Sequence, residues 1–190
     1  YHFAEPQRML EGIIRPPVLS LGNEKIITRH VAATALSLFF RTYPKRFRDE
    51  DMRSRSKIEQ LFRNLEHPSG VADFSGFLRH RKAQLEESLR EIVPPAMANE
   101  VGLNNGEWIE NIVGPDSRFS LAEAEVSSDY RTVRDLRRTS FEKGDDKTVG
   151  WAGARAKTIA QEDVLSFLSR KAVIPKYGFP VDVVELDPHR

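Results

Sequence analysis

The residues of this chain best placed to do chemistry are cations. Arg131, Arg134, Arg137 and Arg138 recur at helical intervals. Arg131, Arg134 and Arg138 stand at i, i+3 and i+7, which places them near one helix face, where they could follow a phosphate backbone. Arg155, Lys157, Arg170, Lys171 and Lys176 extend the basic surface toward the C-terminus. Tyr177 and Trp151 are candidates for base stacking. The chemistry expected of such a set is sequence-independent binding of nucleic acid, with DNA as the partner. A plainer reading fits the same residues. Asp129 and Asp135 are spaced to neutralise the arginine row through helix pairs, and Trp151, between small residues, suits a core position equally well.

Other chemistries lack their residues. No Gly-x-x-x-x-Gly-Lys-Ser/Thr cradle is present, so the chain itself has no P-loop for ATP. The run Asp49-Glu50-Asp51 follows a Phe-Arg segment with no buried strand before it, and reads as a solvated turn. His2, His30, His67, His80 and His189 are scattered, none pairing with another His or a carboxylate at metal spacing. His30 reads as a hydrogen-bonded histidine on an apolar helix, and His80, in Arg79-His80-Arg81-Lys82, as solvent-facing. No nucleophile elbow surrounds any Ser. With no Cys in the chain, disulfides and thiolate zinc sites are ruled out. We expect no catalytic residue, no metal site and no cofactor of the chain's own.

The formal net charge of +1 conceals a patchwork. Arg131 to Lys176 carries eleven Lys/Arg against six Asp/Glu, and Arg41 to Arg63 carries eight against four. Asn99 to Asp129 carries Arg118 alone against seven acids. Two basic segments and one acidic segment imply a surface with sidedness. With 39% hydrophobic and 30% charged residues, composition is that of a soluble globular chain, and 190 residues suffice for one domain. No apolar run reaches membrane-helix length and no signal peptide is visible, so a cytoplasmic location and no membrane partner are expected.

The elements that would position these residues are mostly helices. Asn23 caps a helix running to about Phe40, apolar on most faces and stopped by Pro44. Residues 44–53 read as a charged, exposed connection. Ser54 or Ser56 caps a helix to about Leu65. Asp73 caps a long helix with Phe74, Phe77, Leu78, Leu85, Leu89 and Ile92 on one face, up to Pro94-Pro95. A short helix follows around Glu107–Val113, then a longer one over about Ser120 to Thr139. Residues 142–150 read as a mobile polar loop, and a last helix spans about Gln161 to Arg170, with acids at its start and bases at its end as the macrodipole favours. The predicted fold class is mainly α, a helical domain with a small C-terminal β element. Residues 1–22 form an extended connection with a short helix, 23–172 the helical domain, and 173–190 a turn and strand leading onward.

The terminal stretch Pro175-Lys176-Tyr177-Gly178-Phe179-Pro180-Val181-Asp182-Val183-Val184-Glu185-Leu186 reads as a rigid turn into a strand. Pro175 and Pro180 fix φ, Gly178 takes positive φ cheaply, and the valines suit a pleated surface. Tyr177 and Phe179 would then pack at a join between two units. The chain opens on Tyr1 and closes on Asp187-Pro188-His189-Arg190 straight after the strand-like run, and is read as a piece of a longer protein.

Ser169-Arg170-Lys171-Ala172-Val173-Ile174 with the turn that follows resembles a segment of large bacterial DEAD/DEAH-type superfamily-two helicases that carry a C-terminal zinc-binding module. Tyr1-His2-Phe3-Ala4-Glu5-Pro6 with Arg8-Met9-Leu10 and Gly12, then Pro16-Pro17, Leu21-Gly22-Asn23-Glu24 and Arg29-His30-Val31, resembles the segment after their second RecA-like domain. The residues between, about 41–160, carry no recognised motif. The resemblance implies a parent protein that binds ATP and magnesium and unwinds DNA. In it, this chain would be an accessory region between the motor domains and the C-terminal module, its partners in the same polypeptide. The cysteine-free chain cannot contain that zinc module. A different class of function, a protein-interaction scaffold docking through the acidic segment and exposed loops, remains open.

Overall fold

The computed structural model describes residues 23–47 and 56–176. The chain is mainly α, and the only β pairing among the described residues is a single antiparallel bridge between Lys57 and Asp163. The C-terminal strand expected after Pro175 falls largely on residues 177–190, outside the described set; Val173 to Lys176 form no strand.

Helix α1 (Glu24–Thr42) starts where Asn23 Oδ1 accepts the Lys25 N–H at 3.0 Å. Pro44 does more than stop it: it opens a one-turn helix, α2 (Pro44–Phe47), where a proline's missing N–H costs nothing. The exposed connection expected over 44–53 is corrected at Arg46, which is drawn inward, and at Phe47, which is only 3% exposed; Pro44 and Lys45 are exposed, and 48–53 lie outside the described residues. Arg46 donates to the carbonyls of Gln60 and Leu61 (2.7 and 2.6 Å) and to Asp73 (2.8 Å), and lies over the rings of Phe39 and Phe47. Burial lowers its pKa, opposed by the hydrogen bond to Asp73.

Helix α3 (Ile58–Phe62) is shorter than expected, and Ser56 donates to the Phe47 carbonyl instead of capping it. The long helix expected from Asp73 is two helices, α4 (Gly70–His80) and α5 (Lys82–Ile92), broken at Arg81. Asp73 lies inside the first turn of α4 and is no cap: its carboxylate is taken by Arg46 and Arg63. After a 3₁₀ turn (Pro95–Met97) comes α6 (Trp108–Val113), whose buried Trp108 donates Nε1–H to Glu86 at 3.1 Å.

The largest departure from expectation follows. Helix α7 runs from Arg118 to Glu142, capped by Ser117, and after a tight turn at Lys143–Asp145 the chain enters α8 (Asp146–Ala160). The mobile loop expected over 142–150 is therefore mostly helix. Gly144 takes the turn's positive φ of 71°, and Asp145 Oδ1 accepts the Thr148 N–H at 3.1 Å, so the polar residues are turn and cap. Ala152, Gly153 and Ala156 let α8 lie close on α7, its principal partner. Helix α9 (Val164–Arg170), capped by Asp163, closes the body.

Rings tie the core together across elements. Phe39 (α1) meets Phe74 (α4), Phe74 meets Phe119 (α7), Phe119 meets Phe62 (α3), and Phe62 meets Phe167 (α9), with centroids 5.2 to 5.9 Å apart. Tilted and edge-on geometries in this range add about 0.5–1.5 kcal/mol per pair beyond burial.

Candidate nucleic-acid interface

The start of α7 sits against a cleft of about 520 Å³. Glu24 and Lys25 at the start of α1, Arg118 and Phe119 at the start of α7, and Ala172 and Val173 beyond α9 all line it. Both ends of the described body thus meet at one place. Phe141 lies on the same helix as Phe119 but, at 1.5 Å per residue, about 33 Å away. Phe119, Ala122 and Val126 of α7 and Ile159 and Ala160 of α8 belong to the core, with Tyr130 and Val133 packed against it, so only the part of the hairpin near its turn forms an arm, and it carries two exposed aromatics, Phe141 (74%) and Trp151 (58%). Exposure settles the choice left open for Trp151: it is not a core residue.

The arginine row does share one face of α7, but most of it is neutralised. Arg134 Nε donates to Glu66 Oε1 at 3.0 Å, and that hydrogen bond with the carboxylate's charge raises the Arg134 pKa. Arg138 pairs with Asp135 at 2.9 Å on the same helix, while Arg131 donates to the Ser127 carbonyl at 3.4 Å. Asp129 pairs with none of these arginines.

Arg170 and Lys171 fall elsewhere. They line a groove of about 380 Å³ with Arg155, Glu125, Asp129 and Glu162. Arg170 pairs with Glu162 at 2.6 Å, Lys171 with Glu125, and both cations lie over the Phe167 ring. Arg134, Arg138 and Phe141 line a separate groove of about 410 Å³ with Glu66 and Val149. Glu125 and Asp129 lie on a row of α7 about 180° from that of Arg134 and Arg138, so the two grooves flank the hairpin on different sides. Lys176 is exposed at the end of the described body, and Tyr177 lies outside the described residues. The candidate cations are thus distributed over separate surfaces, and four of them already hold a carboxylate. Each exposed pair is worth about 0–1 kcal/mol, yet an incoming phosphate must compete with it.

The outer face of α8 differs. Lys147, Trp151 and Arg155 stand at i, i+4 and i+8, all exposed, and Lys147 and Arg155 form no ion pair among the described residues. Arg155 lines the Glu125–Glu162 groove without reaching ion-pair distance to its acids. Asp146 is the one acid on this helix and lies about 100° around it from Lys147. The sequence reading missed Lys147. The four-residue spacing was there to be read, but it carries meaning only once 146–150 is known to be helix. Among the described residues no group of three His, Asp or Glu could hold a metal, and no helix is long and apolar enough to cross a membrane.

No family model matches the chain, and no solved structure does. Among curated proteins it is similar to Druantia protein DruE of Escherichia coli (strain UMEA 4076-1), with 22% identity over 195 aligned residues. That alignment covers 96% of this chain and 10% of DruE, so the chain spans about a tenth of the length of the relative it matches. Coverage this wide takes in residues 41–160, which carry no motif of their own.

Proposed function

We propose that this chain is a non-catalytic accessory region of a large ATP-dependent helicase, coupling motor domains to a C-terminal module while its helical arm positions a nucleic-acid strand. ATP and magnesium belong, on this reading, to the rest of the polypeptide. The observation that carries the proposal is helix α7: its start lines one cleft with Glu24 and Val173, and Phe141 in its last turn lies about 33 Å away along the same helix. One continuous helix that joins that cleft to an exposed tip suits transmission between units. The helicase-like segments at the two ends of the sequence support the reading. So does the similarity to a tenth of DruE, as expected of one region within a much larger protein.

The test is deletion of the distal arm, Leu136 to Ala154, in the full-length parent with a short turn in its place. Nucleic-acid-stimulated ATP hydrolysis should persist while unwinding falls. Unwinding unchanged by the deletion would remove the arm from function, and a parent that hydrolyses no ATP would end the helicase reading.

One observation favours a second reading, a protein-docking scaffold. Arg134, Arg138, Arg170 and Lys171 are paired with carboxylates, and Phe141 and Leu136 expose apolar surface near the tip. A purified partner whose binding is lost with Phe141→Ser, in a chain that binds no nucleic acid, would establish it.

A further inference from the structure

We propose that the outer face of α8 binds single-stranded nucleic acid, with a base stacked on the Trp151 indole and phosphates held by Lys147 and Arg155. This deepens the strand-positioning part of the function proposed above and rests on it there alone; the coupling role stands or falls separately.

Three observations converge on the same helix face. Trp151 is 58% exposed, unusual for the largest apolar side chain, and makes no ring contact among the described residues. Lys147 and Arg155 lie one turn to either side of it, about 12 Å apart along the helix axis. Neither holds a carboxylate among the described residues, in contrast to Arg134, Arg138, Arg170 and Lys171. A phosphate need displace no internal partner from either cation, and of the acids that share a groove with Arg155, Glu162 is held by Arg170 and Glu125 by Lys171.

The chemistry of the face selects its occupant. Between the cations, Gly150 and Ala154 flank the indole and add little apolar area, so a protein partner would find one aromatic ring between two cations. A nucleotide needs one ring and a nearby cation. Stacking on an exposed aromatic is tolerant of sequence, since every base has a π-face. A duplex keeps its bases stacked inside, so the face favours single strands.

The chain reports on this site without a label. It has two tryptophans, and Trp108 is buried at 1% exposure with its Nε1–H bonded to Glu86, so quenching by a bound base reads Trp151. The experiment is titration of the full 190-residue chain with oligo(dT), followed by tryptophan fluorescence and, for variants, by anisotropy of a labelled oligonucleotide across a salt series. We expect quenching on binding, and Trp151→Ala to weaken binding about 5- to 100-fold. Lys147→Gln and Arg155→Gln should each weaken binding and lower the slope of log affinity against log salt by about 0.7. Arg138→Gln, which removes a paired cation, should do neither. Circular dichroism confirms that each surface variant keeps its helix.

Absence of quenching and of binding at low salt would overturn the proposal. Binding undiminished by Trp151→Ala, or weakened as much by Arg138→Gln as by Arg155→Gln, would overturn it too. Salt-insensitive self-association lost with Trp151→Ala, seen by sedimentation, would instead assign the face to a second copy of the chain.

Discussion

Glu123 of α7 caps helix α4 from outside: its Oε2 accepts the Val71 backbone N–H at 2.8 Å, across 52 residues of sequence. Ser69, the residue in the cap position, makes no side-chain hydrogen bond there. The first turn of α4 therefore depends on α7 for its satisfaction, and the two helices are keyed together by a carboxylate at a helix N-terminus.

That carboxylate gives stability a defined pH dependence. Burial pushes the Glu123 pKa above its ordinary value of 4.5, while the amides of Val71 and Gly70 pull it back in part. Between 4.5 and the raised value the folded chain then binds more protons than the unfolded one, so this group's contribution falls as pH rises through that window. Glu123→Gln keeps the acceptor oxygen and removes the titration. Urea unfolding from pH 4 to 7 should show wild-type stability declining relative to Glu123→Gln. Parallel curves would mean that the carboxyl does not titrate in that window.

Gly70 is required by space. A Cβ there would stand 2.5 Å from Phe62 Cδ1 and 2.9 Å from both Glu123 Oε2 and the Leu61 carbonyl. Gly70→Ala must push α4 off α3 and off its cap, and overpacking of this kind costs about 1–3 kcal/mol. Gly76, beside which an added Cβ meets nothing within 4 Å, is the control. Gly76→Ala should be neutral or stabilising by about 0.5–1 kcal/mol from helix propensity alone. Thermal unfolding of the two variants separates the cases.

Arg46 should resist its conservative replacement. Its fork reaches the Gln60 and Leu61 carbonyls and Asp73 at once, between two aromatic rings. A lysine ammonium cannot reproduce that planar geometry. Arg46→Lys should therefore lower stability by about 1.5–3 kcal/mol, as for loss of hydrogen bonds to a charged group, and Arg46→Ala by at least as much. The midpoint of chemical denaturation measures it; a lysine variant at wild-type stability would refute the fork as the stabilising element.

The arm's turn carries a second, opposite pH response. Hydrogen bonds from Thr148 hold the Asp145 pKa below its ordinary value of 3.8. Its contribution is present above 3.8 and is lost as pH falls through the lowered value. Amide-exchange protection factors in the first turn of α8, corrected for the intrinsic pH dependence of exchange, should fall on acidification in the wild type. In Asp145→Asn, where the amide oxygen still caps, the protection factors should show no such acid step.

Much of this architecture was legible in the chain. Asn23 as a cap, the apolar face of α1, and the short helix ending at Gly114 follow from local chemistry, because caps and periodic apolar residues act within a turn or two of themselves. The helical class follows from the same signals. Helix α8 was not legible: Gly150 and Gly153 lower its intrinsic propensity, and its stability comes from packing on α7, which no local window contains. Asp73 and Arg46 were misplaced for the same reason, each having the residue type of an exposed cap or loop but a partner supplied from a distant part of the chain.

The candidate interface divides along this line. Sequence alone determined that the chain is helical, free of cysteine, without a P-loop, and basic toward its C-terminal third. Which of those basic residues remain available was decided by the fold alone. Glu66 reaches Arg134, and Glu125 reaches Lys171, across long stretches of sequence. Charge pairing is a matter of distance in space, and spacing along the chain predicts it only within one helix. Only once 146–160 is helical do Lys147, Trp151 and Arg155 become a single face.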